Sequence, residues 1–282
     1  MGRKNIWLVG GDDRQAVLAG LLADDGHSVH VYGMEKRLRC EPSLEGIGEA
    51  DCVILPLPAL NGSGVLNTPL SKGEVTAGEV LVRLKPGQMV LAGKVNTWLK
   101  AVAESRDLNL MDYFAREDLA LLNAIPTAEG AIRIAMETMP VTIHGSRILV
   151  LGYGRLGQAL APRLQALGAE VSVVVRRREQ RALATMCGLK TEGFDGMKEW
   201  IHSFDLVINT VPAQVLGVEE LAAIKESAAV IDLASLPGGV DDESAAALHV
   251  KVIHALALPG KEAPLTAARY LRDTVYHLIL GV

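Results

Sequence analysis

The chain has little that suits disulfide, metal or membrane chemistry. Its 282 residues contain three cysteines, Cys40, Cys52 and Cys187, widely spaced and forming no C-x-x-C pair. That sparse usage fits a reduced, cytoplasmic compartment, with Cys52 inside an apolar run as a small core residue. No Cys/His cluster has zinc-ligand spacing, so no metal is expected. Basic excess is also absent: 28 Lys and Arg against 33 Asp and Glu leave a net charge of −5, and no global field draws in nucleic acid. Long hydrophobic runs are lacking too. "AALHVKVIHALAL" is broken by Lys251 and His254, well before the roughly 20 residues of a membrane span. The opening "MGRKNIWLVGGDD" turns acidic too early for a secretory h-region. No G-x-S-x-G elbow occurs, and "GSGVLN" lacks the Lys-Ser/Thr of a P-loop.

What is present is ordinary globular composition, 49% hydrophobic and 22% charged, over a length that suggests about two domains. Short apolar runs alternate with helical patterns, as in βαβ units around a parallel sheet. In the first half, strands are predicted at 5–10, 28–33, 51–57, 88–93 and 108–113, with helices at 14–25 and 96–105. In the second, strands are predicted at 147–152, 170–175, 205–211, 228–234 and 250–256. The joint "NAIPTAEGAIRIAMETMP" reads as a linking helix over 123–140, bounded by Pro126 and Pro140. Leu271, Val275, Leu278 and Ile279 recur at helical spacing near the C-terminus. The expected fold is therefore α/β, with two doubly wound parallel-sheet domains. The first covers 1–122 and is completed by the helix 264–282; the second covers 141–263.

"VLGYGRLGQALAPRL" places Gly152, Gly154 and Gly157 as G-x-G-x-x-G between a strand and a helix. Gly152 allows the tight turn, Gly154 lets backbone approach a pyrophosphate, and Gly157 lets helix and strand pack closely. Arg155 and Leu156 lie within the same turn, and the helix that follows aims free N–H groups at the phosphates. The second domain is thus read as a Rossmann dinucleotide-binding domain. An NAD site usually ends its next strand with Asp or Glu; here "VVVRRRE" offers Arg176 and Arg177, with no carboxylate before Glu179. Guanidinium groups pair bidentately with phosphate oxygens, so the cofactor expected is NADP, with NAD also possible. Thr210, Val211 and Pro212, and then Ala234 and Ser235, follow later strands at the carboxyl edge and complete the expected cofactor set.

"GGDDRQ" (10–15), "ILPLPALNGSGVLNTPLS" (54–71), "REDLALLNAIPTAEGAIRIAM" (116–136) and "TIHGSRILVLGYGRLGQ" (142–158) resemble the family of dipicolinate synthase A subunits, as does "INTVPA…IDLASLPGGVD". The resemblance runs essentially end to end, and the joint "IPTAEGA…TIHGS" carries it more specifically than the glycines. It implies a two-domain fold of the D-2-hydroxyacid dehydrogenase type, with the site in the cleft between the domains. The implied activity is NAD(P)-linked oxidation of a dihydrodipicolinate-type intermediate to dipicolinic acid for endospores, in the mother-cell cytoplasm. A second, flavoprotein-like subunit is the implied partner, and a homo-oligomer is compatible with it.

Such a reaction removes a hydride and a proton from a ring bearing two carboxylates. Candidate substrate contacts are Arg14 and Asp12 after the first strand, Ser63 and Asn67 with Asn61 and Thr68 on the glycine-rich loop, Lys94 near Asn96, and Thr127. Arg14 reads equally well as a partner of Asp12 or Asp13, and the loop residues as turn formers. For proton transfer, the candidates are His254, at the carboxyl end of its strand, and Glu129, for which helix capping is an equal reading. His144, at the amino end of the fingerprint strand, reads as structural. D-2-hydroxyacid dehydrogenases carry arginine at the corner that reads "ASLPGG" here, and the resembled family shows arginine there too. Leu236 stands in its place. That departure counts against a plain hydroxyacid dehydrogenase, one alternative; the other is a regulatory subunit that binds NADP without turnover.

Overall fold

The computed structural model describes residues 2–61, 64–235 and 237–280. The candidate Ser63 and the departure at Leu236 lie outside the described residues. The chain forms two compact units, the first of residues up to Asn123 together with those from Pro259 on, the second of Ala124–Leu258.

The first unit holds β1 (Asn5–Val9), α1 (Asp13–Asp24), β2 (Ser28–Tyr32), β3 (Cys52–Ile54), α2 (Ala77–Leu81), β4 (Met89–Ala92), α3 (Thr97–Ser105) and β5 (Asn109–Asp112). Its strands run parallel in the order β2-β1-β3-β4-β5. Strand alternation sends Trp7 and Val9 to the core on one face, and Ile6 and Leu8 to the core on the other. A sheet covered on both faces needs continuous apolar strands, which is why β3 reads Cys-Val-Ile with all three residues buried. Burial also pushes the Cys52 thiol pKa up to about 12, so it behaves as a small hydrophobe.

A long helix, α4 (Glu117–Thr138), leads to the second unit. Pro126 lies inside this helix and does not bound it. The expected helix start is corrected accordingly: the helix begins nine residues before Pro126, and Thr127 and Glu129 occupy its interior, so neither opens nor caps it. The proline falls just past Asn123, where the chain leaves the first unit. At 22 residues, α4 is long and apolar enough by composition to cross a membrane. Its Ala128, Ala131 and Ala135, however, share one face and are buried in the second unit's core.

The second unit continues with β6 (Arg147–Leu151), α5 (Arg155–Ala166), β7 (Glu170–Val174), α6 (Arg178–Met186), β8 (Lys190–Glu192), α7 (Met197–Trp200), β9 (Leu206–Asn209), α8 (Val218–Ala223), β10 (Ala229–Asp232), α9 (Asp242–Ala247) and β11 (Lys251–His254). The parallel order is β11-β10-β9-β6-β7-β8. The order reverses between β6 and β9, which opens a crevice at the carboxyl ends of those strands. Strand β8 is not among the strands expected from the sequence, because Lys-Thr-Glu carries no apolar pattern. After α10 (Leu258–Glu262), the final helix α11 (Pro264–Leu280) packs on α1 in the first unit. Leu271 and Val275 join Leu18 and Leu22 in one core cluster. The Tyr276 hydroxyl donates to Asp25 Oδ2 at 2.6 Å.

Candidate dinucleotide-binding site

At the corner between β6 and α5, three glycines meet three different constraints. Gly152 has φ +92°, where a side chain is strained, and an added Cβ would sit 2.6 Å from Thr210 Oγ1. At Gly157 a Cβ would sit 2.3 Å from the Gly152 carbonyl oxygen, so only glycine lets α5 approach the strand end. Gly154 differs: its φ is −79°, it N-caps α5 without a side-chain bond, and an added Cβ would meet nothing within 4 Å. The fold does not need glycine at 154, and the space before it is open.

That space belongs to a cavity of about 370 Å³. Its walls are Gly152, Gly154, Arg155, Leu156, Arg176, Arg177, Thr210, Val211 and Pro212, together with Tyr153, Val174, Val175, Gln180 and Phe194. The structure therefore brings most of the expected cofactor residues to one place, with Gly157 packed beneath them. Ala234 and Ser235 are not on its wall; the Ala234 N–H instead donates to Asp232 Oδ1 at 3.0 Å. Phe194 carries no signal in the sequence, because it follows the polar strand β8. The Val175 N–H donates to the Glu192 carbonyl at 3.1 Å, fixing the two strand ends side by side. The Arg176 guanidinium then lies over the Phe194 ring, 4.9 Å from its centroid. Tyr153 is buried, and burial, followed by the neighbouring Cys187 thiol, pushes its pKa up to about 12.

A polar row closes the same sheet edge. Asn209, Asp232 and His254 are register partners at the ends of β9, β10 and β11. Asp232 is 1% exposed and accepts from Asn209 Nδ2 at 2.8 Å, the Ala234 N–H at 3.0 Å and the Gly239 N–H at 3.0 Å. Asn209 also exchanges bonds with Val211, 3.0 Å each way, which holds the Thr210–Pro212 wall. Neither Asn209 nor Asp232 is among the residues expected from the sequence. Their pairing is set by register between strands 23 residues apart. His254 is not buried, with its side chain 46% exposed. It bonds Asp242 Oδ1 through Nε2 at 2.8 Å, and its Nδ1 lies 3.7 Å from Asp232 Oδ2.

In the first unit, the corner after β1 is filled from within. Asp12 caps α1 by accepting the Arg14 N–H, and Gln15 answers in a capping box. The Arg14 side chain grips Asp12 through Nε at 3.0 and 3.1 Å and through Nη2 at 2.8 Å, and also donates to the Leu57 carbonyl at 2.8 Å. Asn67 bonds the turn through its backbone, accepting the Gly11 N–H at 3.0 Å, and Thr68 packs against Gly10. Lys94 has φ +54°, its N–H donates to Asp112, and its ammonium lies over the Phe114 ring at 5.7 Å. Desolvation, followed by the Arg14 cation, holds the Lys94 pKa below the usual lysine value. Asn96 caps α3, and Asn61 donates its N–H to the Val65 carbonyl. In the second unit, Thr127 is half-buried and Glu129 exposed along α4, while His144 is exposed at the amino edge, next to Gly168. Among the described residues, no group of three His, Cys, Asp or Glu side chains is placed to hold a metal ion.

Residues 5–114 match the model of the N-terminal domain of the dipicolinate synthase A subunit. Residues 119–268 match the NAD-binding domain of D-isomer-specific 2-hydroxyacid dehydrogenases. The dipicolinate synthase A subunit of Bacillus subtilis is 33% identical, over 98% of this chain and 96% of that protein. The chain belongs to the family of dipicolinate synthase A subunits. The crystal structure of the family member from Bacillus halodurans superimposes with a TM-score of 0.89 at 30% identity, covering 99% of each chain. That of the dipicolinate synthase chain from Bacillus subtilis gives 0.86 at 32% identity, covering 100% of this chain and 97% of the other. The second unit is accordingly a nicotinamide-dinucleotide domain of the 2-hydroxyacid dehydrogenase kind, and the chain is of an oxidoreductase type.

Proposed function

We propose that this chain is the nicotinamide-dependent subunit of a dipicolinate synthase. In this reading it prefers NADP to NAD and oxidises a dihydrodipicolinate-type intermediate to dipicolinic acid. The observation that carries it is the N-terminus of α5, which no side chain caps, with Gly154 facing open space in a cavity that Arg176 and Arg177 also line. A cradle that a Cβ would fill, with the first N–H groups of α5 behind it, fits a pyrophosphate. Guanidinium charge at Arg176 and Arg177, with no carboxylate on the wall, fits the adenosine end of a dinucleotide that carries a 2′-phosphate.

Bound there, the nicotinamide would supply the hydride acceptor. The chain's own residues bind and orient it: the Gly154–Leu156 backbone at the pyrophosphate, the arginines at the adenosine end, and the Thr210–Pro212 wall held by Asn209. For the dicarboxylate, Lys94 is the first cationic candidate, because Arg14 already grips Asp12. Asn67 and Thr127 remain candidates to bond it. For the proton, His254 is the candidate acceptor, with Nε2 fixed by Asp242, ahead of Glu129, which is exposed along α4. The relatives are named as one part of a multi-subunit synthase, which supports a companion subunit. The proposed setting is the mother-cell cytoplasm of a spore former.

Calorimetry with NADP and NAD, on the wild type and on Arg177→Asp, tests the cofactor half. A loss of about 10-fold or more in NADP affinity, with NAD affinity retained, is expected from removing a charge-assisted pair. Absence of heat with either dinucleotide overturns the reading. NADPH formation from dihydrodipicolinate, by the chain alone and with the companion subunit, tests the reaction; binding without turnover in both cases would leave a regulatory subunit.

A further inference from the structure

Arg176 and Arg177 are adjacent, and both line the cavity, yet their surroundings differ. Arg176 lies over the Phe194 ring at 4.9 Å. Phe194 is itself half-buried and packed on the core cluster that includes Met197 and Phe204. Its position is fixed by the β7–β8 pairing, through the bond from the Val175 N–H to the Glu192 carbonyl. Arg177 stands at the N-cap of α6, and among the described residues no carboxylate or ring engages its guanidinium. One guanidinium thus sits over an aromatic ring, and the other has its N–H fork open to an outside partner.

We propose that the two arginines divide the work at the adenosine end of the dinucleotide. Arg176, laid on Phe194, offers its opposite face as a stacking plane for the adenine ring, and Arg177 alone pairs with the 2′-phosphate and so selects NADP. Phe194 is then a positioning residue that acts through Arg176. This rests on the dinucleotide reading above. The physical basis is that a guanidinium plane stacks on aromatic faces on either side, whereas discrimination by a phosphate needs N–H donors aimed at its oxygens. A ring beneath one arginine favours the stacked arrangement over turning edge-on toward the phosphate. Both dinucleotides carry adenine, so Arg176 and Phe194 contribute equally to NADP and NAD, and Arg177 contributes to NADP only.

The test measures dissociation constants for NADP and NAD by calorimetry on the full chain, with thermal unfolding to check that each variant is folded. Arg177→Met is expected to weaken NADP by about 10- to 100-fold, leave NAD unchanged and bring the ratio of the two near one. Arg176→Lys keeps the charge but removes the plane. It should weaken both dinucleotides by a common factor of about 3- to 10-fold and leave the ratio intact. Phe194→Leu should match Arg176→Lys, Phe194→Tyr should restore wild-type binding, and the Phe194→Leu/Arg176→Lys double variant should be no weaker than either single change. The proposal is overturned if Arg176→Lys collapses the ratio as Arg177→Met does, or if Phe194→Leu leaves both affinities untouched. Should Phe194→Leu fail to fold, the comparison of the two arginine variants decides alone. A wild-type chain that binds neither dinucleotide would overturn the parent reading, which is a different result from either of these.

Discussion

Asp51, just ahead of β3, accepts the Asn5 N–H at 2.7 Å in the first sheet, and Asp205, just ahead of β9, accepts the Arg147 N–H at 2.7 Å in the second. Each aspartate also returns its own N–H to the carbonyl of the residue it bonds, at 2.9 and 2.8 Å. The amino edges of the two sheets are therefore tied by the same device. Their carboxyl edges part company. At the end of β1, Gly10 and Gly11 turn the chain, but Thr68 and Gln15 fill the space beside them, and the N-terminus of α1 is already answered by the Asp12 carboxylate. At the end of β6, no side chain caps α5 and the space is open. One crevice at a point of strand reversal has been closed with internal charge, while the other stays open. The lesson is that topology supplies the crevice and the capping residue decides whether it stays available.

Variants that interfere with one corner and spare the other can break this comparison. Asp12→Ala should have the largest effect, about 3 kcal/mol of stability, because it removes the α1 cap and leaves Arg14, whose side chain is 5% exposed, without its carboxylate. Dinucleotide affinity should not change; chemical denaturation and calorimetry on the same preparation measure both. Gly154→Ala should do the reverse. Stability stays within about 0.5 kcal/mol, as at an unstrained surface site, while dinucleotide affinity falls by about 10-fold or more, as expected where backbone must approach a pyrophosphate. A Gly154→Ala chain that binds normally would show that the open space is not the phosphate site.

The smallest effect concerns the shared amino edge. Burial pushes the Asp205 pKa up, but the Lys225 ammonium, the Arg147 N–H and further Coulombic attraction outweigh it, and the net shift is downward. A lowered carboxylate contributes stability that is fully present above its ordinary value near 4 and is lost as pH falls through the folded-state value. Lys225→Met should therefore cost only about 0.5 kcal/mol at neutral pH, since both partners are partly in water. The deficit relative to wild type should also shrink as pH falls below about 4, giving a shallower acid limb, as read by unfolding midpoints between roughly pH 3 and 6. An unchanged acid limb would mean that Lys225 does not set the Asp205 charge.

The sequence disclosed the parts of this comparison that are local. Ten of the described strands follow from short apolar runs, and the α5 corner from the spaced glycines after one of them, β6; each of these signals is local in sequence. Lys190–Glu192 escaped because an edge strand with two exposed residues need not be apolar. The start of α4 escaped because Pro126 is ordinarily a boundary, yet here it lies within the helix. Long-range closure was also invisible. Thr68 reaches Gly10 from 58 residues away, Arg14 finds the Leu57 carbonyl, and Asp232 joins Asn209 through strand register. Arg14 could be weighed as a substrate contact or as a partner of Asp12, but only the folded edge shows how completely Asp12 occupies it.

The unhindered Cβ direction at residue 154 also bears on how defects in this family would be noticed. A chain carrying alanine there should express, melt and sediment like its parent, so screens for abundance or thermal tolerance would pass it as healthy. Only a measurement with the nucleotide present would expose the lesion. A glycine kept for the sake of a guest leaves no trace in the host's own stability.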